Sequence, residues 1–341
     1  MQTPGPLAVT APRAWDRDTL RDEDLMVPVP TAWVDALRTV PPDRRWTSAP
    51  PPPARFTDDL VHRLREGPGV AVVRGWPLRG LSDRQCLDLA HWFTAFLGTP
   101  RPTESGTQGH VILTAHPQGH KYPAPGTTHP QDPGPPAPAT ARPDAAEPPP
   151  AEPPPAVAPS PAAAPPPPAQ DADDRDLAFH TDRAGPPGPP RLLGLLCVRQ
   201  AAYGGESLLA SGHTVHNRLL ERYPTALPRL RRDFHFGRGD GFDRVHPVFR
   251  LRDGTLLTRY NRHWIERGQE EAGAPLSPGD RAALDAVDAV LADPRTARRV
   301  RLRPGDFLLL DNTAVLHGRT AFTDATDDPE CRRCLVRVWV D

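Results

Sequence analysis

Between Pro123 and Pro168 the chain carries 20 of its 48 prolines, interleaved with Ala, Glu and Gln and almost free of large apolar side chains. Proline donates no backbone hydrogen bond, and a segment this poor in apolar surface cannot offset the entropy lost on ordering. The tract is expected to be a disordered or polyproline-like surface insertion. The fold must therefore come from the residues on either side. Of 341 residues, roughly 290 remain, which suits one large domain. The expected division is an N-terminal part (1–122), an insertion (123–172) and a C-terminal part (173–341), the two outer parts forming one domain.

Upstream of the tract, "FTDDLVHRLREGPG" reads as a short helix and "GVAVVRGW" as a buried strand. In "LSDRQCLDLAHWFTAFLG", Ser82 with Gln85 forms a capping box, apolar residues from Cys86 to Leu97 follow helical spacing, and Gly98 suits the stop. "HVILTAH" is a further strand. Downstream, strand character strengthens in "RLLGLLCVRQ", "ESLLAS", "TLLTRYNR", "RRVRLRPGDFLLLDN" and "CLVRVWV". Two helices interrupt it, near "HTVHNRLLERYP" and at "SPGDRAALDAVDAVLAD", where Ser277 caps and Pro278 takes the first helical position. Short strands with few intervening helices point to a sandwich or barrel, mostly β with flanking helices, best matched by a jelly roll.

The net charge of −1 comes from 41 basic and 42 acidic residues in mixture, so nothing argues for nucleic acid or an anionic membrane surface. A small-molecule partner is expected. The N-terminal residues have no basic start followed by an apolar run, and no 18 apolar residues follow one another, which reads as a soluble, cytoplasmic protein. Four cysteines do not make a disulfide framework. Cys331 and Cys334 form a CxxC pair, but no second pair with zinc-like spacing accompanies it.

Three segments bear on chemistry. "FHTD" supplies His180 and Asp182; "PGDFLLLDNTAVLHGRTAF" places His317 in a turn after an apolar strand; "CRRCLVRVW" projects Arg333 and Arg337 from an edge-like strand. A lone His-x-Asp is no more than chance supplies in a chain with 13 His and 42 acidic residues. Together, two histidines and one carboxylate make a facial ligand set of the kind that holds Fe(II) and leaves the opposite face open. His180 and Asp182 are two apart, so on a strand they share a face, and His317 would come from a distant strand of a closed barrel. The competing reading makes these histidines satisfied core or turn residues, and the arginines solvated charges.

In order, "FHTD", "GGESLLAS", "PVF", "RYNR", "PGDFLLLDN", "LHGRTAF" and the final Arg-x-x-x-Arg-Val-Trp resemble the taurine dioxygenase and clavaminate synthase-like branch of the Fe(II)/2-oxoglutarate-dependent oxygenases. The likeness covers 179–341, and "GVAVVRGW" through "FLGTPRP" fits the N-terminal portion. It implies a double-stranded β-helix (jelly-roll) core, with His180, Asp182 and His317 on iron. It implies Ser207 and Arg333 on the distal carboxylate of 2-oxoglutarate, a planar fork being the natural partner for a carboxylate. Arg337 would bind an acidic group of the substrate, and Asn261 would contact the substrate. Iron, 2-oxoglutarate and O2 would together hydroxylate a C–H bond of an amino acid or related small acid in specialised metabolism. Because Asp182 is a carboxylate and not a small non-ligating residue, hydroxylation is expected over halogenation. Taurine or alkyl-sulfonate catabolism is the alternative within the class. Outside it stand a non-catalytic barrel that binds partners through the proline-rich segment, and a structural zinc barrel. Oligomeric state is left open.

Overall fold

The structure, a computed structural model, describes residues 10–40, 46, 48–101, 110–114, 176–184, 188–237, 245–325, 328 and 331–341. All belong to one of the two units into which the chain divides, 1–119 with 171–341. The insertion expected at 123–172 lies outside the described residues.

In chain order the elements before the insertion are α1 (Asp22–Leu25), β1 (Met26–Pro28), α2 (Thr31–Thr39), α3 (Ala54–Arg65), β2 (Val70–Arg74), α4 (Asp83–Thr94) and β3 (His110–Thr114). After it come β4 (Leu177–His180), β5 (Leu192–Arg199), β6 (Tyr203–Gly204), β7 (Ser207–Ser211), α5 (Gly212–Arg222), α6 (Leu227–Leu230), β8 (Phe234–His235), β9 (Val245–His246), β10 (Phe249–Arg252) and β11 (Thr255–Thr258). The chain ends with α7 (Arg262–Glu271), α8 (Pro278–Ala292), β12 (Ala297–Val300), β13 (Asp306–Asp311), β14 (Val315–Arg319), β15 (Phe322–Thr323) and β16 (Cys334–Val340).

Two sheets carry the architecture. The larger has the order β1-β2-β13-β5-β16-β3, and the smaller β12-β7-β14-β4. Strand alternation decides what each face buries. Val70 and Val72 of β2 and Leu308 and Leu310 of β13 share one apolar cluster with Leu209 of β7 and Val315 of β14, so the two sheets pack face to face there. Their neighbours Ala71, Val73, Phe307 and Leu309 point the other way, against Trp33 and Leu37 of α2, Leu60 and Leu64 of α3, and Phe93 of α4. The outer face of the small sheet, through Ala210 and Leu316, is covered by α5, α6, α7 and α8. The architecture is thus mixed, two sheets with helices on both outer surfaces. Burial on both faces explains why "GVAVV" and "FLLL" are continuous apolar runs and not alternating ones.

Close approach at the centre of the large sheet needs a glycine. A Cβ on Gly194 of β5 would stand 2.7 Å from Val338 Cγ2 and 2.8 Å from Phe307 Cε2. Helix starts follow the expected chemistry: Ser82 and Ser277 form reciprocal capping boxes with Gln85 and Asp280, and Ser211 caps α5.

Three expectations are corrected. "TLLTRYNR" does not continue as strand: β11 stops at Thr258, and Asn261 accepts the Trp264 N–H at 3.1 Å to start α7. A side-chain acceptor three residues before a free N–H outweighed the apparent strand pattern. β16 is not an edge, since it lies between β5 and β3. His317 sits inside β14, not in a turn.

The sheet's end is tied by Arg74, which donates to both oxygens of Asp306 at 2.8 Å, while Asp306 also accepts the Arg303 N–H. Asp306 is buried and Arg74 about one-third exposed, so the solvated partner recovers part of any loss. Asp306→Ala is expected to cost about 2 kcal/mol, lowering Tm by roughly 4 °C in a calorimetric scan. No helix among the described residues is long and apolar enough to cross a membrane.

Candidate active site

His180 closes β4 and His317 lies on β14 directly opposite it, the two being paired in the antiparallel register. Their rings are 4.3 Å apart between centroids. The second histidine therefore comes from the neighbouring strand of one sheet, 137 positions away in sequence, and not from across a barrel. Asp182 lies just past the end of β4, so the strand alone does not aim it. Asn312 does: its Oδ1 accepts the Asp182 N–H at 2.8 Å, and its Nδ2 donates to the Asp182 carbonyl at 2.9 Å and to that of Pro190 at 3.1 Å. Arg183 then takes a left-handed conformation, φ 53°, and turns the chain away.

The Asp182 carboxylate is divided by its partners. Oδ1 stands 3.3 Å from His180 Nε2 and 3.4 Å from His317 Nε2. Oδ2 accepts the Trp339 indole N–H at 2.7 Å and lies 3.4 Å from Arg337 Nη1. One oxygen therefore looks into the histidine pair, and the other is fixed from the opposite sheet. Burial opposes the charge on Asp182, but Arg337 and the contacts from both histidines outweigh it and hold the carboxyl well below its usual range. Burial also pushes the His317 imidazole down, aided by His180 beside it, so it stands neutral. The Nδ1 of His180 lies 2.9 Å from the Ala178 carbonyl, a contact that orients the ring with Nε2 towards Asp182.

These three residues are the one group among the described residues whose ligand atoms could share a metal ion, all within 4.8 Å of one another. Two imidazoles and one carboxylate oxygen on a single face fit a divalent first-row metal, with the remaining positions open. The CxxC cysteines take no part: both are free, Cys331 exposed and Cys334 buried. The Trp339 bond fixes which carboxylate oxygen is presented. Trp339→Phe keeps the ring and frees Oδ2, and is expected to weaken Mn(II) affinity by about tenfold, read by electron paramagnetic resonance titration.

A second group forms where β7 and β14 begin and end. Ser207 is buried and opposite Arg319 in the register. The Arg319 and Arg333 guanidinium carbons lie 4.5 and 5.0 Å from the Phe322 ring centre. Arg333 is buried, donating from Nε to Gln200 at 3.2 Å. Burial, with Arg319 nearby, lowers its guanidinium to about 10. No carboxylate lies within ion-pair distance of Arg333 among the described residues. On β16, Arg337 has the strand parity of Leu335 and Trp339, the side facing the small sheet, and Arg333 immediately precedes the strand.

The structure thus brings His180, Asp182, His317 and Arg337 together, and sets Ser207 and Arg333 in a neighbouring group. Asn261 has its carbonyl oxygen committed to the start of α7. Sequence reasoning missed Asn312, Trp339, Arg319 and Phe322. Trp339 was within reach, since it lies two residues beyond Arg337 on a strand; Asn312 carried no sequence signal for its latch.

Comparison with known proteins follows the same residues. The profile of "Taurine catabolism dioxygenase TauD, TfdA family" matches residues 143–339. FR-33289 synthase of Streptomyces rubellomurinus is 30% identical over 173 residues, 48% of this chain and 49% of that protein. A uridine-5'-phosphate dioxygenase of an Amycolatopsis species is 34% identical over 149 residues, 42% of this chain and 52% of that one. The chain spans about half the length of these curated relatives. Among solved structures, an asparagine oxygenase with Fe(II), 3-hydroxyasparagine and succinate superposes with a TM-score of 0.61 at 19% identity, covering 92% of this chain and 93% of that one. A non-heme iron oxygenase with iron and alpha-ketoglutaric acid gives 0.58 at 15% identity, with the same coverage. At these identities the likeness is one of fold.

Proposed function

The chain belongs to the taurine catabolism dioxygenase TauD, TfdA family, and on that premise we propose that it is an Fe(II)- and 2-oxoglutarate-dependent oxygenase. Its action would be to hydroxylate an unactivated C–H of an amino acid or related small acid in specialised metabolism. The observation that carries the reading is the divided carboxylate, with Asp182 Oδ1 facing both histidine Nε2 atoms while Oδ2 is held by Trp339 and Arg337. The two facing sheets are read as a double-stranded β-helix core, supported by the superposition on the asparagine oxygenase.

His180, Asp182 and His317 would hold the iron. Bound there with 2-oxoglutarate and O2, iron supplies the oxidising power for hydroxylation, with succinate and carbon dioxide as by-products. The protein's own part is positional. The ionised Asp182 carboxylate and the uncharged His317 imidazole are ready to ligate without giving up protons. Arg333, a buried cation with no carboxylate at ion-pair distance among the described residues, would take the distal carboxylate of 2-oxoglutarate, with Ser207 hydrogen-bonding beside it. Arg337, at the rim of the same triad, is the residue assigned to an acidic group on the substrate; Asn261 is a weaker assignment, left with only its amide N–H groups to offer.

Substrate choice favours amino acids because the fold neighbours include an asparagine oxygenase and a non-heme iron oxygenase solved with L-arginine. The test has two stages. Anaerobic protein with Fe(II) and 2-oxoglutarate is expected to show the weak visible charge-transfer band of the chelate, lost in His180→Ala. A succinate-release screen over amino acids, sulfonates and carrier-bound acids then identifies the class by substrate-stimulated turnover. Absence of the band in the unaltered protein overturns the reading.

A further inference from the structure

Arg259 lies on the link between β11 and α7, next to Tyr260. The Tyr260 carbonyl accepts the Thr181 N–H at 2.7 Å, and its N–H donates to Thr181 Oγ1 at 3.2 Å. Thr181 stands between the ligand residues His180 and Asp182, so Arg259 starts one residue from backbone bonded to the residue between two ligands. Its side chain reaches the segment that leaves Asp182: a Cβ on Gly188 would meet Arg259 Nη2 at 3.7 Å.

This guanidinium is poorly served by the protein. Its Nη1 is buried and has no hydrogen-bond partner. No carboxylate pairs with it among the described residues, and the charges that act on it are the cations Arg250 and Arg101, which together with burial bring it down to about 10. The other arginines near these segments each have a carboxylate partner, although the Arg337 Nε is itself buried without a hydrogen-bond partner. Arg101 binds Asp341 and the Gly188 carbonyl, Arg250 has Asp233 at 3.6 Å, and Arg337 has Asp182. A half-buried cation among cations weakens the folded state unless an anion joins it. A guanidinium fork presents two parallel donors to a carboxylate or a phosphoryl group.

We propose that Arg259 is an anion-binding residue on the link whose backbone bonds Thr181, between two of the iron ligands, taking a carboxylate or phosphoryl group of the substrate other than the acid assigned to Arg337. The substrate is then an acid with two anionic groups. Assigning the anion to the substrate rests on the oxygenase reading, whereas the subsite itself does not.

The test uses the full, metal-free chain and isothermal titration with inorganic phosphate and with acetate. The unaltered protein is expected to bind at least one, and an Arg333→Gln, Arg337→Gln background, which removes the two other arginines assigned to anions, is expected to keep a site whose affinity Arg259→Gln then lowers at least about tenfold. Preference for phosphate identifies a phosphoryl group and preference for acetate a carboxylate. In the ligand-free protein, Arg259→Met is expected to raise Tm by about 2 °C, because an unpaired buried charge is removed. A purely structural arginine would instead lower Tm on removal, and that result overturns the proposal. So does equal binding by Arg259→Gln, or no binding of either anion by the unaltered chain. Failure of the oxygenase reading is read separately, as loss of the Fe(II)/2-oxoglutarate band with anion binding intact.

Discussion

Asp182→Ala is expected to abolish detectable turnover and to weaken Fe(II) or Mn(II) affinity by more than about 100-fold. The size follows from what the carboxylate does in both directions. Oδ1 is the single negatively charged donor facing the two imidazoles, at 3.3 and 3.4 Å from their Nε2 atoms. Without it, the two rings cannot by themselves define a face with fixed open positions. Oδ2 meanwhile neutralises Arg337 and receives the Trp339 N–H, so truncation leaves an arginine and an indole donor without their acceptor. That loss is expected to cost the metal-free protein about 2 kcal/mol, visible as a lower denaturation midpoint. Asp182→Asn separates the two effects. The amide keeps the shape and can still accept from Trp339, so stability should be nearly retained while metal affinity falls, because the ligand charge is gone. Metal affinity preserved in Asp182→Asn would show that the triad is a hydrogen-bonded corner and not a ligand set.

How much of this was legible beforehand differs from residue to residue, for physical reasons. The buried strands β2, β13 and β16 announce themselves because both faces of the large sheet are covered, leaving continuous apolar runs. Helices α4 and α8 carry their starts in their caps. By contrast α7 is hidden: its first turn follows "TLLTRYN" directly, and only the Asn261 side chain, by satisfying a free N–H, marks the change from strand to helix. The ligands His180, Asp182 and His317 were legible as residue types in a familiar order. Their geometry was not, because the register that sets His317 against His180 is a long-range pairing, and because the aim of Asp182 depends on Asn312, 130 positions away. Arg333 and Arg337 looked like solvated charges on an edge. β16 instead lies between β5 and β3, with Arg333 buried just before it and Arg337 partly exposed beside Asp182, and no local pattern encodes those long-range neighbours. Arg259, quoted within "RYNR", gave no signal, since an unpaired cation is recognised only when its surroundings are known.

Arg333→Gln is expected to raise KM for 2-oxoglutarate by about 100-fold while leaving Mn(II) affinity unchanged. Arg333 is 6% exposed, held by Gln200 at its Nε and set against the Phe322 ring. Its charge is opposed by Arg319 and answered by no carboxylate at ion-pair distance among the described residues, so the guanidinium falls to about 10. It remains a cation at neutral pH. A small dicarboxylate entering beside it would gain a desolvated ion pair, and truncating one partner of such a pair costs about 2–5 kcal/mol. At 1.4 kcal/mol per decade, the lower part of that range gives the expected factor. The metal ligands come from β4, the turn after it and β14, and none contacts Arg333, so their affinity for a bare ion should not move. Arg333→Lys sharpens the point. Lysine restores the charge but not the planar pair of donors, and should recover only part of the affinity. The ligand-free Arg333→Gln protein should lose no stability, because an unanswered buried charge is gone. An unchanged KM in Arg333→Gln, with kcat reduced instead, would move the cosubstrate carboxylate away from Arg333 and towards Arg319, which faces the same aromatic ring.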